Sequence, residues 1–172
     1  EEATVEGYEV AGVSNELFDT DSIQYVAPNA NVASEPVVKG KNAGTYQMGL
    51  APENFSSTDD NIDVTFEIVE DGQLTIDKRK IVLRSASATK TYDGQPLVSN
   101  DLIVTGEFAP GDGLLYQFTG SQTEVGSSEN TFEYLIGSDQ FPDMDAANYE
   151  IVKAYGTLTV LEKLVPPTPR EA

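Results

Sequence analysis

The sequence predicts an all-β protein that contains two similar modules. Apolar and polar residues alternate over short stretches, turn residues interrupt these stretches about every 8–12 residues, and one longer pattern occurs twice. Alternation with a period of two places the apolar side chains on one face of a half-buried strand. No stretch keeps apolar residues at helical spacing over several turns, so we expect antiparallel sheets and no long helix.

Strands are expected where the alternation is clearest. These segments are Val64–Ile68, Phe132–Ile136, Tyr149–Val152 and Leu158–Val160. One short turn of helix is expected around Ala51–Phe55, because Pro52 suits the first turn of a helix. Short strands between regular turns favour immunoglobulin-like β-sandwiches with about seven strands in each module. A β-grasp-like arrangement with one short helix is the alternative.

An internal repeat lies near the end of each module. Residues 66–76 and 149–160 both read as an aromatic-Glu-Ile-Val strand, a tight turn that contains glycine, and a Leu-Thr-aliphatic strand. We predict that each copy is a β-hairpin with its turn at Gly72 or Gly156. The two glycines lie 156 − 72 = 84 positions apart, which estimates the length of a module.

The repeat divides the chain into two modules and a tail. We expect residues 1–77 to form the first module and residues 78–162 the second, with a very short linker that restricts bending. Residues 163–172 are rich in proline and are expected to form an extended, semi-rigid linker. Such a tail is typical of a chain that passes from one domain to another.

The composition excludes several kinds of function. The chain has no Cys and no His, which excludes a disulfide scaffold, a thiolate zinc site and a Ser-His-Asp triad. Ten basic and 29 acidic residues give a net charge of −19, which argues against binding to nucleic acid or to anionic membranes. No apolar run approaches the roughly 18 residues that span a membrane, so no membrane insertion is expected of this segment.

The most distinctive short motif is Tyr92-Asp93-Gly94. Asp-Gly favours a turn, because Asp can accept a hydrogen bond from the backbone downstream and Gly adopts a positive φ at little cost. We interpret the motif as a structural turn that follows the opening strand of a module. Contact of Tyr92 and Asp93 with a ligand is the alternative.

Two acidic loops and three lysines are further candidates for chemistry. The loops offer weak calcium ligands of the oxygen type, although neither follows the EF-hand spacing: Asp59, Asp60, Asp63, Asp143 and Asp145. An isopeptide cross-link would need a buried lysine beside Asn or Asp and an acid, and the lysines near predicted strands are Lys80, Lys90 and Lys153. We assign no catalytic residue, no cofactor and no metal, and we expect no enzyme activity.

Tyr46 follows a turn that contains Gly44, an arrangement typical of the entry to a late strand in immunoglobulin-like sandwiches. There the tyrosine hydroxyl bonds back to the backbone across the corner. Phe132 is placed at the equivalent position of the second module and has no hydroxyl to offer, so that corner is expected to be apolar.

The second module resembles a known class of repeat through an ordered set of motifs. They are Ala88–Gly94, Val104–Gly106, Gly111-Asp112, Thr119–Gln122 with Val125-Gly126, Asn148-Tyr149 and Gly156–Val160. In this order they resemble the Tyr-Asp-Gly-type or MBG-type immunoglobulin-like extracellular repeats of Gram-positive cell-surface adhesin-like proteins. The first module resembles a sister repeat without the opening strand and its Tyr-Asp-Gly turn. An edge without its partner strand invites association, so we expect something to cover it.

The resemblance implies a modest function. Such repeats serve as tandem spacers or stalk units on the outside of bacterial cells, and the expected partners are neighbouring repeats of the parent chain. The alternative is an adhesin module that binds a host glycan or protein, for which exposed Tyr92, Tyr116 or Tyr155 would supply stacking surfaces.

Overall fold

The computed structural model describes residues 1–167 and 169–170, and it confirms that the protein is all-β. Fifteen strands and three short 3-10 helices occur in these residues, and none of them belongs to an α-helix. The strands form small sheets of two or three members. No helix within the described ranges is both long and apolar enough to cross a membrane. The chain divides into two compact units, residues 1–77 and the part that begins at Lys78.

The first unit contains seven strands in three antiparallel sheets. They are β1 (Ala3–Glu6), β2 (Ile23–Val26), β3 (Ala33–Ser34), β4 (Val37–Gly40), β5 (Gly44–Gln47), β6 (Phe55–Ser57) and β7 (Gln73–Ile76). β1 pairs with β4, β5 pairs with β7, and β2 lies between β3 and β6. The 3-10 helix Thr20–Ser22 precedes β2, and the 3-10 helix Pro52–Asn54 precedes β6. Pro52 lies in the first turn of the latter, which confirms the expected helical turn.

The second unit contains eight strands in three sheets. They are β8 (Arg79–Ser85), β9 (Ala88–Thr91), β10 (Leu102–Thr105), β11 (Leu114–Phe118), β12 (Gly126–Glu129), β13 (Phe132–Ile136), β14 (Tyr149–Ala154) and β15 (Thr157–Leu161). The sheet orders are β10-β8-β14, β12-β15-β9 and β11-β13. The 3-10 helix Ala146–Asn148 precedes β14. The strands expected at residues 132–136, 149–152 and 158–160 are confirmed.

The sheets are not all antiparallel. β14 runs parallel to β8, and β15 runs parallel to β9, while the other pairs are antiparallel. The expectation of purely antiparallel sheets is therefore wrong for the second unit. Alternation of side chains identifies a strand, but it carries no information about the direction of its neighbour.

Both predicted hairpins are also wrong. β14 and β15 belong to different sheets, so the chain crosses between sheets at Gly156 instead of reversing within one. In the first unit, β7 follows Gly72 and pairs with β5, whereas residues 64–68 join no ladder. The partner of a strand is decided by contacts far along the chain, and the repeat contained only local pattern.

The structural counterpart of Tyr149 in the first unit is Phe55, not Phe66. Phe55 and Tyr149 each follow a 3-10 helix that ends in asparagine, and each is the first residue of a strand. Phe55 contacts the rings of Tyr8, Tyr25 and Phe66 at centroid distances of 5.1 to 5.8 Å. The two units therefore share this 3-10 helix and the strand that follows it. The sequence comparison matched Tyr149 to Phe66, which lies eleven residues beyond the structural counterpart Phe55 (66 − 55 = 11).

The second unit has the denser core. Its best-buried hydrophobic side chains, all at most 1% exposed, are Ile81, Leu83, Phe132, Leu158 and Val160. In the first unit the buried hydrophobic residues Tyr25, Val38 and Leu74 keep 6–9% of their surface exposed. Two of the buried residues, Ile81 and Leu83, lie on β8, which pairs in parallel with β14. The first unit has no parallel strand pair of this kind.

Candidate functional site: the paired end strands of the second unit

The second unit opens with β8 and β9, which we call the opening strands, and ends with β14 and β15, the closing strands. The closing strands run parallel to the opening strands. Tyr149–Ala154 pair with Arg79–Arg84, and Leu158–Leu161 pair with Ala88–Thr91, both at an offset of 70 residues (149 − 79 and 158 − 88). Six plus four pairs therefore share one register. Because the offset is constant, both strands cross between sheets at the same level without gaining or losing a residue.

The first and last strands of the second unit, β8 and β15, are each the central member of a three-stranded sheet. β8, through which the chain enters, lies between β10 and β14. β15, through which it leaves, lies between β12 and β9. Since β8–β9 and β14–β15 are parallel, Arg79 and Leu161 lie at opposite ends of the paired strands.

A buried polar cluster lies where the opening and closing strands pass from one sheet to the other. We call it the crossing cluster, and it consists of Ser85, Asn130 and Gly156. The Ser85 hydroxyl accepts a hydrogen bond from the Gly156 N–H at 2.9 Å and donates one to the Asn130 carbonyl at 2.5 Å. The Asn130 N–H donates to the Gly156 carbonyl at 2.8 Å. Ladder pairing stops here, so these bonds satisfy backbone groups that would otherwise be buried without partners.

The Asn130 side chain extends the crossing cluster to a third segment. Its Nδ2 donates to the carbonyls of Ala86 at 2.9 Å and Ser99 at 3.0 Å. Asn130 is completely buried, and Ser85 is 1% exposed. One amide thus fixes the bend of the opening strand to the loop that follows β9.

Gly156 is required by space and not by a turn. A Cβ at this position would lie 2.5 Å from the Ala86 carbonyl and from the Ser85 carbonyl oxygen, both of them backbone groups that cannot easily move. The glycine lets the opening and closing strands approach each other closely where they cross. This replaces the predicted hairpin role with a packing role.

A second polar contact anchors the start of β14. The Tyr149 hydroxyl donates to the Asp112 carboxylate at 2.5 Å and accepts from the Ala109 N–H at 2.9 Å. Tyr149 is 6% exposed, and burial together with the hydrogen bond to Asp112 raises its pKa above the ordinary tyrosine value. The Gly111-Asp112 motif therefore holds the first residue of the closing strand pair.

The Tyr92-Asp93-Gly94 segment follows β9 at the far end of the parallel ladder. The Tyr92 N–H donates to the Leu161 carbonyl at 2.8 Å, which extends the pairing by one bond. The Asp93 carboxylate accepts from the Gln95 N–H at 2.9 Å, and Gly94 has φ of +78°. Lys90 contacts Asp93 at 2.7 Å, and hydrogen bonds from Lys90 and Gln95 lower the Asp93 pKa.

The remaining candidates are placed apart from this site. Asp59 accepts from the backbone and side chain of Asn61, and Asp145 caps the N–H of Ala147. No group of three or more acidic side chains is placed to hold a metal ion among the described residues, which include Asp60, Asp63 and Asp143.

The three lysines do not form the buried pair that an isopeptide bond needs. Lys80 is exposed on β8. Lys90 pairs with Asp93, whose side chain is 57% exposed, and Lys153 lies 3.5 Å from Glu133, whose side chain is 72% exposed.

The tyrosines that would supply stacking surfaces in the alternative, a binding module, differ in exposure. Tyr92 is 36% exposed and Tyr116 50%, whereas Tyr155 packs edge-on against buried Phe132 at 5.5 Å. In the first unit, Tyr46 donates its hydroxyl to the Asn42 carbonyl at 2.9 Å, as expected for a strand-entry corner. Phe132, by contrast, is fully buried.

Sequence reasoning missed Ser85 and Asn130. Asn130 lies two residues before the predicted strand Phe132–Ile136, where asparagine is typical of a turn, so no local signal indicated its buried role. Comparisons with family models, curated proteins and solved structures found no match to this chain.

Proposed function

We propose that the chain is a non-catalytic repeat segment of a bacterial cell-surface protein, in which two tandem immunoglobulin-like units act as a spacer or stalk in adhesion. The ordered motifs that resemble Tyr-Asp-Gly-type or MBG-type repeats support this assignment, as does the all-β fold. Its location is extracellular, and its partners are neighbouring repeats of the parent chain. An adhesive stalk must transmit tension without unfolding, so the proposal depends on how each unit resists being pulled.

The observation that carries the proposal is the parallel pairing of the end strands in the second unit. Tension drawn through the chain pulls β8 toward Arg79 and β15 toward Leu161, which are opposite directions along the two parallel ladders, β8–β14 and β9–β15, that share one register. Such a load is shared by all ten register pairs (six plus four), instead of opening them one after another from one end. Resistance to forced unfolding is governed by the unfolding rate, and a shared load keeps that rate low.

Single-molecule force spectroscopy tests the proposal directly. The chain has no cysteine, so pulling handles can be attached at Lys78→Cys and Glu162→Cys to load the ladder in shear. Handles at Gln95→Cys and Glu162→Cys provide the matched control, because they pull the same ends of β9 and β15 apart and open the pairs in sequence. We expect a clearly higher unfolding force in the first geometry. Equal forces in both geometries would contradict the stalk function.

A further inference from the structure

The first unit contains a small open pocket beside the strand β2. Its volume is about 290 Å³, and three segments line it: the loop after β1, the strand β2, and β3 with the residue that follows it. We call it the Tyr8 pocket. Its apolar lining is Tyr8, Ile23, Tyr25 and Ala33, and its polar side chains are Gln24, Ser34 and Glu35. The pocket thus joins apolar walls to one acidic side chain.

Glu35 gives the pocket a negative charge that no cation in its lining neutralises. The lining includes no lysine or arginine, and the Glu35 carboxylate forms no ion pair in the part of the chain that the structure describes. One of its oxygens lies 3.9 Å from the point that a Cβ on Gly7 would occupy. Burial raises the pKa of the neighbouring Tyr8 hydroxyl, and the charge of Glu35 raises it further. The carboxylate therefore lies on the Tyr8 side of the pocket.

A backbone carbonyl provides a second acceptor. The Ile23 carbonyl accepts a hydrogen bond from the Tyr8 hydroxyl at 3.5 Å, which is the outer limit for such a bond. β3 pairs with β2 at Tyr25 and Val26, so no N–H of β3 covers this carbonyl. Two oxygens at this separation can both lie about 2.9 Å from one nitrogen placed between them. A stronger donor can therefore bond to both oxygens at once.

These groups favour a cationic hydrogen-bond donor as the ligand. A carboxylate, a carbonyl and a hydroxyl oxygen can all accept, and a charged donor forms the stronger bonds to them. A divalent metal ion needs more acidic ligands than Glu35 alone, and no group of three acidic side chains is placed to hold one within the described residues. The apolar walls suit a carbon chain behind the charge, because the stem of a lysine packs along apolar surface.

We propose that the Tyr8 pocket binds a primary alkylammonium group, the chemistry of a lysine side chain. The nitrogen donates to the Ile23 carbonyl and to the Tyr8 hydroxyl oxygen and pairs with the Glu35 carboxylate. The alkyl chain packs against the apolar lining. All residues of the pocket belong to the first unit, so this inference is independent of the proposed stalk function, which rests on the strands of the second unit.

The test is an NMR titration of the isotopically labelled chain with n-butylammonium. We expect saturable shifts of the resonances of Tyr8, Ile23 and Glu35. n-Butanol has the alkyl chain without the charge, and tetramethylammonium has the charge without an N–H donor. Each should bind about tenfold more weakly or worse, because the charge-assisted hydrogen bonds are lost.

A second ligand distinguishes two sources of the ammonium group. Nα-acetyl-lysine N-methylamide carries the same group on a short piece of polypeptide. If it binds as well as n-butylammonium, the pocket takes a lysine side chain of a partner polypeptide. Binding of n-butylammonium alone would assign the pocket to a free small amine.

Protein variants locate the site. Glu35→Gln should weaken the binding of n-butylammonium about tenfold or more, because it removes the charge and keeps the shape of an exposed side chain. Glu53→Gln is the matched control, since Glu53 is an exposed acid of the same unit that does not line the pocket. Absence of saturable shifts, equal binding of either control compound, or unchanged affinity in Glu35→Gln would overturn the proposal.

The titration of Tyr8 checks the geometry without any ligand. In Glu35→Gln the ring resonances of Tyr8 should titrate at lower pH, because burial is then the remaining cause of its raised pKa. Glu53→Gln should leave this titration unchanged. An unchanged Tyr8 titration in Glu35→Gln would show that the carboxylate does not face the hydroxyl, which would overturn the proposed site.

Discussion

The Ser85 hydroxyl accepts the backbone N–H of Gly156 at 2.9 Å across a separation of 71 residues. This single bond joins the opening and closing strands of the second unit where both change sheet. The same hydroxyl donates to the Asn130 carbonyl, so three distant segments meet at one buried oxygen. Side chains in the crossing cluster replace the backbone ladder at the level where its pairing stops.

Gly156→Ala should destabilise the second unit by about 2 kcal/mol or more, because the new methyl group meets immobile backbone atoms. Gly72→Ala is the matched control: its nearest neighbour is the flexible Met48 side chain, at 3.1 Å, which can move aside. Urea denaturation of both variants measures the difference. A similar loss in the two variants would contradict the packing role of Gly156.

Asn130→Ala should cost about 2–3 kcal/mol, because it leaves the partly buried Ala86 and Ser99 carbonyls without their donor. Asn100→Ala, at an exposed position, is the control and should change stability by less than about 0.5 kcal/mol. Thermal unfolding followed by circular dichroism compares them. If Asn130→Ala unfolds like the control, the crossing cluster does not hold the strands.

Tyr149→Phe should lower the stability of the second unit by about 1.5–3 kcal/mol, because the hydroxyl donates to an ionised carboxylate. The raised pKa of Tyr149 means that its contribution is present below the unfolded value near 10 and is lost as pH rises through the folded value. The variant should therefore lose part of the alkaline fall in stability. Tyr116→Phe, which removes an exposed hydroxyl on β11, is the control and should change stability by less than about 0.5 kcal/mol.

The lowered pKa of Asp93 predicts an effect at acid pH. Its contribution to stability is present above the unfolded value near 4 and is lost as pH falls through the lower folded value. A carboxyl NMR titration should report a pKa below the ordinary range for Asp93. In Lys90→Met the value should move back toward the ordinary one, and an unchanged titration would show that Lys90 is not the cause.

Amide hydrogen exchange should be slower in β8, β13 and β15 than in β2, β4 and β7. The reason is the difference in core: Leu83, Phe132 and Leu158 are fully buried, whereas Tyr25, Val38 and Leu74 are not. Mass spectrometry of exchanged peptides measures this for both units in one sample. Equal protection in the two units would mean that the thinner core is not the less stable one.

Particular residues show how far the sequence could be read. Residues 132–136 form a strand as predicted, because their alternation and their packing require the same face to be buried. Residues 64–68 show the same alternation and the matching burial, but they form no ladder. The pattern reports which side chains avoid water, and a strand also needs a partner with unpaired backbone groups.

By itself the sequence determined the all-β class, the absence of thiol and imidazole chemistry, the acidic surface and the turn residues, because these depend on composition and on neighbours a few positions away. Only the tertiary structure decided that Gly156 lies at a crossing, that the end strands are parallel, and that Asn130 and Ser85 close the bend between them. Those features join residues 45 to 71 positions apart. No local pattern encodes such partners, since they are selected by the packing of the whole unit.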